Sequence, residues 1–188
     1  MDFTEKVIKK DVKYQGGIID VEEQIVELPN GKLAKRDVVH HAPAIGILAI
    51  TSANEAILIE QWRTAPAKTT LEIPAGKVDE RDTSPLDTVI RELNEETRLQ
   101  ARHIERISSF YLSTGFSDEL MHLYLATGLT PVTNELPQDI DENLTYQTYT
   151  LAQLDALQAH GQLDDSKTQV AYWYWKNKVA YVKELVNG

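Results

Sequence analysis

The chain has 188 residues, 42% of them apolar, which is enough for one substantial domain, alone or with a short extension. Acids outnumber bases 29 to 19, for a formal charge of −10. That balance excludes a generally basic nucleic-acid-binding surface and sets any anionic substrate against net repulsion unless cations intervene. The absence of cysteine excludes disulfides, thiolate zinc sites and a cysteine nucleophile.

The opening MDFTEKVIKKD lacks the apolar core of a secretory signal. The longest apolar stretch, 42–50, falls far short of the roughly 20 residues that cross a bilayer. A soluble, cytoplasmic chain with no membrane partner is expected. Residues 7–14 read as a strand that gives way at Gly16-Gly17 to a second over 18–28, and Asn30-Gly31 is a strong hairpin signal before a third over 32–40. Apolar runs at 44–50 and 56–61, joined by a polar turn, predict two more strands, and 69–73 a short one. The period then changes. Pro85 follows Thr83-Ser84, which can cap, and Leu86, Val89, Ile90 and Leu93 recur at helical spacing, so 85–99 reads as an amphipathic helix. Strands follow at 104–112, 120–126 and 144–150, the last after an acidic loop, and helices at 151–159 and 166–186. This order indicates an α+β fold with a mixed sheet. It divides into a β subdomain over 1–42 and a second domain over 43–188.

The chemistry lies on the central helix. Glu92, Glu95 and Glu96 stand at i, i+3 and i+4 and share one face, while Leu86, Ile90 and Leu93 lie on another and are expected to anchor the helix to the core. Like charges at this spacing destabilise a bare helix by a few tenths of a kcal/mol per pair. A solvated acidic face, with Arg91 screening Glu95, is one account of them. A divalent cation is the other, since hard cations take carboxylate, phosphate and water oxygens.

The stretch before the helix, Leu71-Glu72-Ile73-Pro74-Ala75-Gly76, decides between them. Together with Arg91-Glu92-Leu93-Asn94-Glu95-Glu96 it resembles the Nudix box, G-x5-E-x7-R-E-U-x-E-E-x-G-U. Three departures stand out. One residue is inserted between Gly76 and Arg91, Asp82 is the nearest substitute for the first Glu, and Arg98 replaces the last Gly, so the helix is expected to run on.

Outside the box the segments RDVVH (36–40), EQWR (60–63), 113–119, 139–142 and 161–168 are similar to the ADP-ribose pyrophosphatase group of Nudix hydrolases. The resemblance implies a Nudix-type α/β/α sandwich with added N-terminal antiparallel strands, which commonly pair the chains as homodimers. It implies metal-dependent cleavage of ADP-ribose to AMP and ribose 5-phosphate. By the same likeness Glu92, Glu96 and the Ala75 carbonyl hold Mg²⁺ or Mn²⁺, Glu95 ligates or orients, and Arg91 holds the cluster. Glu142 serves as base or ligand, with Asp139 and Asp141 as neighbours able to substitute. Arg36, Arg63, Glu72, Gly115 and Glu119 fall at the substrate.

Thr114 stands where the group has a proline associated with ADP-ribose preference, which keeps other nucleoside diphosphate sugars as the alternative. A non-catalytic nucleotide sensor is a further one. Of the remaining features, His40-His41 point to opposite faces of a strand and read as structural. The Tyr172-Trp173-Tyr174-Trp175 run reads as core or dimer packing, and Asp164-Asp165-Ser166 as a helix cap.

Overall fold

The computed structural model describes residues 2–138 and 143–187, with side chains through Ala180. Close contacts divide the chain into two units, 1–43 with 110–120, and 44–109 with 121–188.

In the first unit, β1 (Lys6–Gln15), β2 (Ile19–Glu27) and β3 (Leu33–His41) form an antiparallel sheet in that order. The Asn30-Gly31 signal is a turn: Gly31 sits at φ 77, and its N–H donates to the Leu28 carbonyl at 2.8 Å. Every residue of β1 is exposed, Val7, Ile8, Val12 and Tyr14 among them. The 113–119 segment is stitched to β3 by backbone bonds, Val39 N to Phe116 O at 2.7 Å and Asp118 N to Val39 O at 3.1 Å.

In the second unit, β4 (Ala44–Ile50), β5 (Glu55–Arg63), β6 (Lys68–Glu72), β7 (Ala75–Lys77), β8 (Leu99–Tyr111), β9 (Leu120–Pro131) and β10 (Leu144–Thr150) make one mixed sheet. Its order is β10-β5-β4-β9-β8, with β6 on β5 and β7 on β4. Strand β4 runs parallel to β9 and antiparallel to β5 and β7. All of β4 is buried, as a strand covered on both faces must be. Ile45, Ile47 and Ala49 meet Val89 and Leu93 of α1 (Pro85–Thr97), while Leu48 and Ile50 face Tyr174 and Trp175 of α3 (Ser166–Asn187). A Cβ on Gly46 would come within 2.9 Å of the terminal methyl of buried Ile73, which would have to shift to admit it. The helix α2 (Leu151–Ala159) follows β10 through a Thr150–Gln153 capping box. The unit is therefore an α/β/α sandwich. Among the described residues no helix is long and apolar enough to cross a membrane.

Two expectations about α1 are corrected. The helix does not run on through Arg98 but stops at Thr97, with Arg98 in the left-handed conformation at φ 61. That conformation costs a non-glycine residue about 1–2 kcal/mol. Several contacts offset it: the Arg98 N–H donates to Asn94 O at 2.9 Å, its carbonyl accepts from Val132 N at 3.0 Å, and its guanidinium reaches the Leu136 carbonyl and Glu135. Nor do Leu86 and Ile90 anchor the helix. They are 42% and 53% exposed, whereas Val89 and Leu93 are fully buried. The 3.6-residue period allows one stripe to face the sheet, and the sheet takes the stripe that leaves the glutamates beside β7. In the aromatic run Tyr172 and Trp175 are buried and Trp173 is exposed.

Leu93→Ala should destabilise the fold by about 2–5 kcal/mol. Ile90→Ala should change it by less than about 1 kcal/mol. Urea unfolding of the two variants checks the assignment, and equal losses would overturn it.

Candidate active site

The turn between β6 and β7 and the buried face of α1 meet at the glutamates. Ser84 caps α1, its hydroxyl accepting from Asp87 N at 3.3 Å, and Pro85 fills the first turn, where its missing N–H costs nothing. Glu92, Glu95 and Glu96 are only 6%, 5% and 4% exposed. Buried carboxylates need partners. Arg91 supplies several: its Nη1 donates to Glu92 at 2.7 Å and Glu95 at 2.8 Å, and its Nη2 donates to Asp82 at 2.8 Å. Asp82, the substitute for the first Glu of the box, also accepts from Thr88 at 3.0 Å and from Arg91 Nε at 3.2 Å. Arg91's hydrogen bond holds the Asp82 carboxyl below the usual range, against the opposing effect of burial. Burial works against the Arg91 cation, yet Asp82, Glu92 and Glu95 hold its pKa above the ordinary value. The Ala75 N–H donates to Glu96 at 3.1 Å.

As they stand, no three acidic or imidazole groups among the described residues are gathered so as to hold a metal ion. Glu92 and Glu95 each accept from Arg91, and Glu96 accepts from Ala75 N. The donor set nonetheless fits a hard divalent cation. It consists of oxygens only, carboxylates and the Ala75 carbonyl; Asp82, Glu92 and Glu95 surround one largely buried guanidinium, Glu96 is buried beside them on α1, and Gly76 leaves room. A Cβ on Gly76 would overlap the Glu92 carboxylate, so the glycine serves close approach to that oxygen.

Beside this cluster stands a second ionic network. Arg63, on β5, grips Glu72 with two hydrogen bonds of 2.8 Å. Thr70 donates to the same carboxylate at 2.6 Å, and Lys167 of α3 also donates to it. Burial alone would raise the Glu72 pKa, but Arg63, Lys167 and Thr70 overcome it and bring it to about 2. Arg63 is held above its ordinary value chiefly by Glu72, with smaller contributions from Asp165 and Glu96, which ties it electrically to the glutamate helix. Asp165 caps α3, accepting from Thr168 N at 2.9 Å, and the Thr168 hydroxyl accepts from Ile73 N at 2.8 Å.

Arg36, Gly115 and Glu119 belong to the first unit, where Arg36 is paired with Glu5 at 2.6 Å and Gly115 lines a groove with it. Glu142, with Asp139 and Asp141, lies outside the described residues. Sequence reasoning missed Lys167, whose partner is 95 residues distant in sequence. It also missed Asn94, which donates to Asn134 O at 2.9 Å and accepts from Leu136 N at 3.0 Å. No local pattern signals either role.

Comparison with known proteins agrees with this geometry. A NUDIX domain profile matches residues 40–173, so the chain belongs to the Nudix family. It is 38% identical to an ADP-ribose pyrophosphatase of Bacillus subtilis (strain 168), over 94% of this chain and 95% of that one. It is equally, 38%, identical to a methanol dehydrogenase activator of Bacillus methanolicus, over 92% of each. A crystal structure of an ADP compounds hydrolase superposes with a TM-score of 0.83 at 18% identity, covering 97% of this chain and 98% of that one, a likeness of fold.

Glu72 is depressed from 4.5 to about 2, so its stabilisation is present above about pH 4.5 and is lost as pH falls through about 2. The contribution is on the order of 3 kcal/mol. The melting-temperature gap between the parent and Glu72→Gln should therefore close on acidification. A gap independent of pH would contradict the ion network.

Proposed function

We propose that the chain hydrolyses the pyrophosphate bond of ADP-ribose, releasing AMP and ribose 5-phosphate. The observation that carries this reading is the buried carboxylate face of α1 beside Arg63, with Asp82, Glu92 and Glu95 bound around the one Arg91 guanidinium. The choice of substrate is supported by the likeness to the Bacillus subtilis enzyme.

Nudix enzymes generally use a divalent metal; here Glu92, Glu96 and the Ala75 carbonyl would hold Mg²⁺ or Mn²⁺, with Glu95 ligating or orienting. A cation bound there supplies charge neutralisation to the diphosphate and acidity to the attacking water. Arg91 keeps Glu92 and Glu95 in place as that charge changes. Arg63 offers its planar fork to the diphosphate, aligned from behind by Glu72. Glu142, or its neighbours Asp139 and Asp141, takes the proton of the water. Arg36, Gly115 and Glu119 contact the nucleotide. The protein is cytoplasmic and works as a homodimer through the N-terminal sheet. Support for the dimer comes from β1, an edge strand with apolar residues open on both faces.

Purified protein with Mg²⁺ should convert ADP-ribose faster than GDP-mannose, UDP-glucose or NADH, with products separated by chromatography. Chelation should abolish turnover. Glu96→Gln and Gly76→Ala should each lower kcat by at least about tenfold with the fold retained. Preference for another nucleotide sugar would move the substrate and keep the chemistry. Binding of ADP-ribose without metal-dependent turnover would sink the hydrolase reading in favour of a sensor. Sedimentation should give twice the chain mass of 21.2 kDa, and Val12→Lys should shift it to the monomer.

A further inference from the structure

The 113–119 segment owes its conformation to side-chain as well as backbone bonds. Phe116 N and Ser117 N both return to the Ser113 carbonyl, at 3.2 and 2.9 Å, and Val39 and Ser117 form a bridge in parallel sense. The key side chain is Asp118. One carboxylate oxygen accepts from His41 N at 3.0 Å and the other meets His40 Nδ1 at 2.6 Å. On its opposite edge, His40 Nε2 lies 3.3 Å from Glu22 on β2. One imidazole thus joins two carboxylates from two elements.

The other charged groups around it are few. Lys10 on β1 reaches Glu22 at 3.2 Å, and Asp20 on β2 is the cross-strand partner of His40. Gln24 donates to Glu22 at 2.9 Å, and His41 approaches Glu119 at 3.8 Å. Next to the segment is a groove of about 430 Å³, lined by Arg36, Thr114, Gly115, Phe116 and Asp118 among others. That volume is within the range of small-molecule sites. Thr114 leaves the backbone freer than a proline would, so the shape of this wall depends on what holds Asp118.

We propose that His40 is a positioning residue for substrate specificity: by bridging Glu22 and Asp118 it latches the 113–119 segment to the N-terminal sheet and sets the affinity for the nucleoside diphosphate sugar. The inference rests on the reading of Gly115 and Glu119 as substrate contacts. A doubly protonated imidazole donates to both carboxylates. The neutral ring has one N–H and serves only one of them, while its bare nitrogen faces the lone pairs of the other. Asp118 chiefly, with Glu22, holds the His40 pKa above its ordinary value against the opposing effect of burial. The full latch is therefore present at low pH and half of it is lost as pH rises through that raised pKa.

The test follows ADP-ribose hydrolysis from about pH 6 to about pH 9 for the parent, His40→Gln and Asp118→Asn, beside an NMR titration of the imidazoles. The parent KM should rise across the pH at which His40 titrates. In His40→Gln it should be raised by about tenfold at low pH and flat thereafter, with kcat within about twofold. Asp118→Asn should move the His40 titration to lower pH. A parent KM that ignores the titration, or the same KM step in His40→Gln, would overturn the latch. If the parent binds but does not turn over ADP-ribose, the hydrolase reading fails, and the dissociation constant measured by calorimetry takes the place of KM in judging the latch. If it neither binds nor hydrolyses ADP-ribose, the specificity role fails with that reading, and the NMR arm still reports whether the bridge exists.

Discussion

Arg91 is the group on which the second unit's chemistry depends, because it makes a buried cluster of like charges tolerable. Asp82, Glu92 and Glu95 all bond to its guanidinium, with Asp79 at 3.9 Å on the rim. Carboxylates packed together away from water repel one another and lose hydration, and a single planar cation with five donors can satisfy several at once. Lysine could not, since its point charge lacks the fork. The rest of the site follows from this tie. Val89 and Leu93 pack the adjoining part of the same buried face of α1 into the sheet, Gly76 permits the close approach to Glu92, and Ala75 N donates to Glu96.

A second tie brings the C-terminal helix into the same arrangement. Thr168 and Lys167 fasten the start of α3 to Ile73 and Glu72, immediately before the Pro74-Ala75-Gly76 turn. Glu72 in turn fixes Arg63, whose guanidinium remains partly open to solvent. The cation proposed to grip the diphosphate is thus held by a carboxylate that is itself held by the far end of the chain. Such a network is costly to break from one side, since removing a partner strands a buried charge. The buried charges of this unit gather around β6, β7, α1 and the start of α3, while β4 is apolar and buried throughout.

The first unit has a different economy. Its three strands bury little, and no residue of β1 is buried, so the sheet offers apolar side chains and open backbone groups to a partner. Its bonds to the 113–119 segment are mostly backbone, reinforced by Asp118 between two histidines. Adjacent residues of a strand point to opposite faces. His40 and His41 accordingly divide the labour, one through its side chain and the other through its N–H.

What the sequence determined by itself was whatever depends on neighbours along the chain. Strand alternation, the Asn30-Gly31 turn, the Ser84-Pro85 start of α1 and the spacing of Glu92, Glu95 and Glu96 all operate within a few residues. The turn, the helix start and the first five strands were legible with bounds close to those observed, as was the family motif, whereas β7 was not foreseen and β8 and β9 run five residues beyond the expected start and end. The tertiary structure decided the rest. It chose which apolar stripe of α1 is buried, leaving Leu86 and Ile90 outside. It also compelled Arg98 into a left-handed bend, because the Val132 and Leu136 contacts outweigh the local cost. It paired Lys167 with Glu72 and Asn94 with the 134–136 segment across gaps no periodicity spans. The physical reason is common to all of these: a buried charge or an unpaired backbone group takes its partner from whatever the fold brings within about 3 Å, not from what is near in sequence.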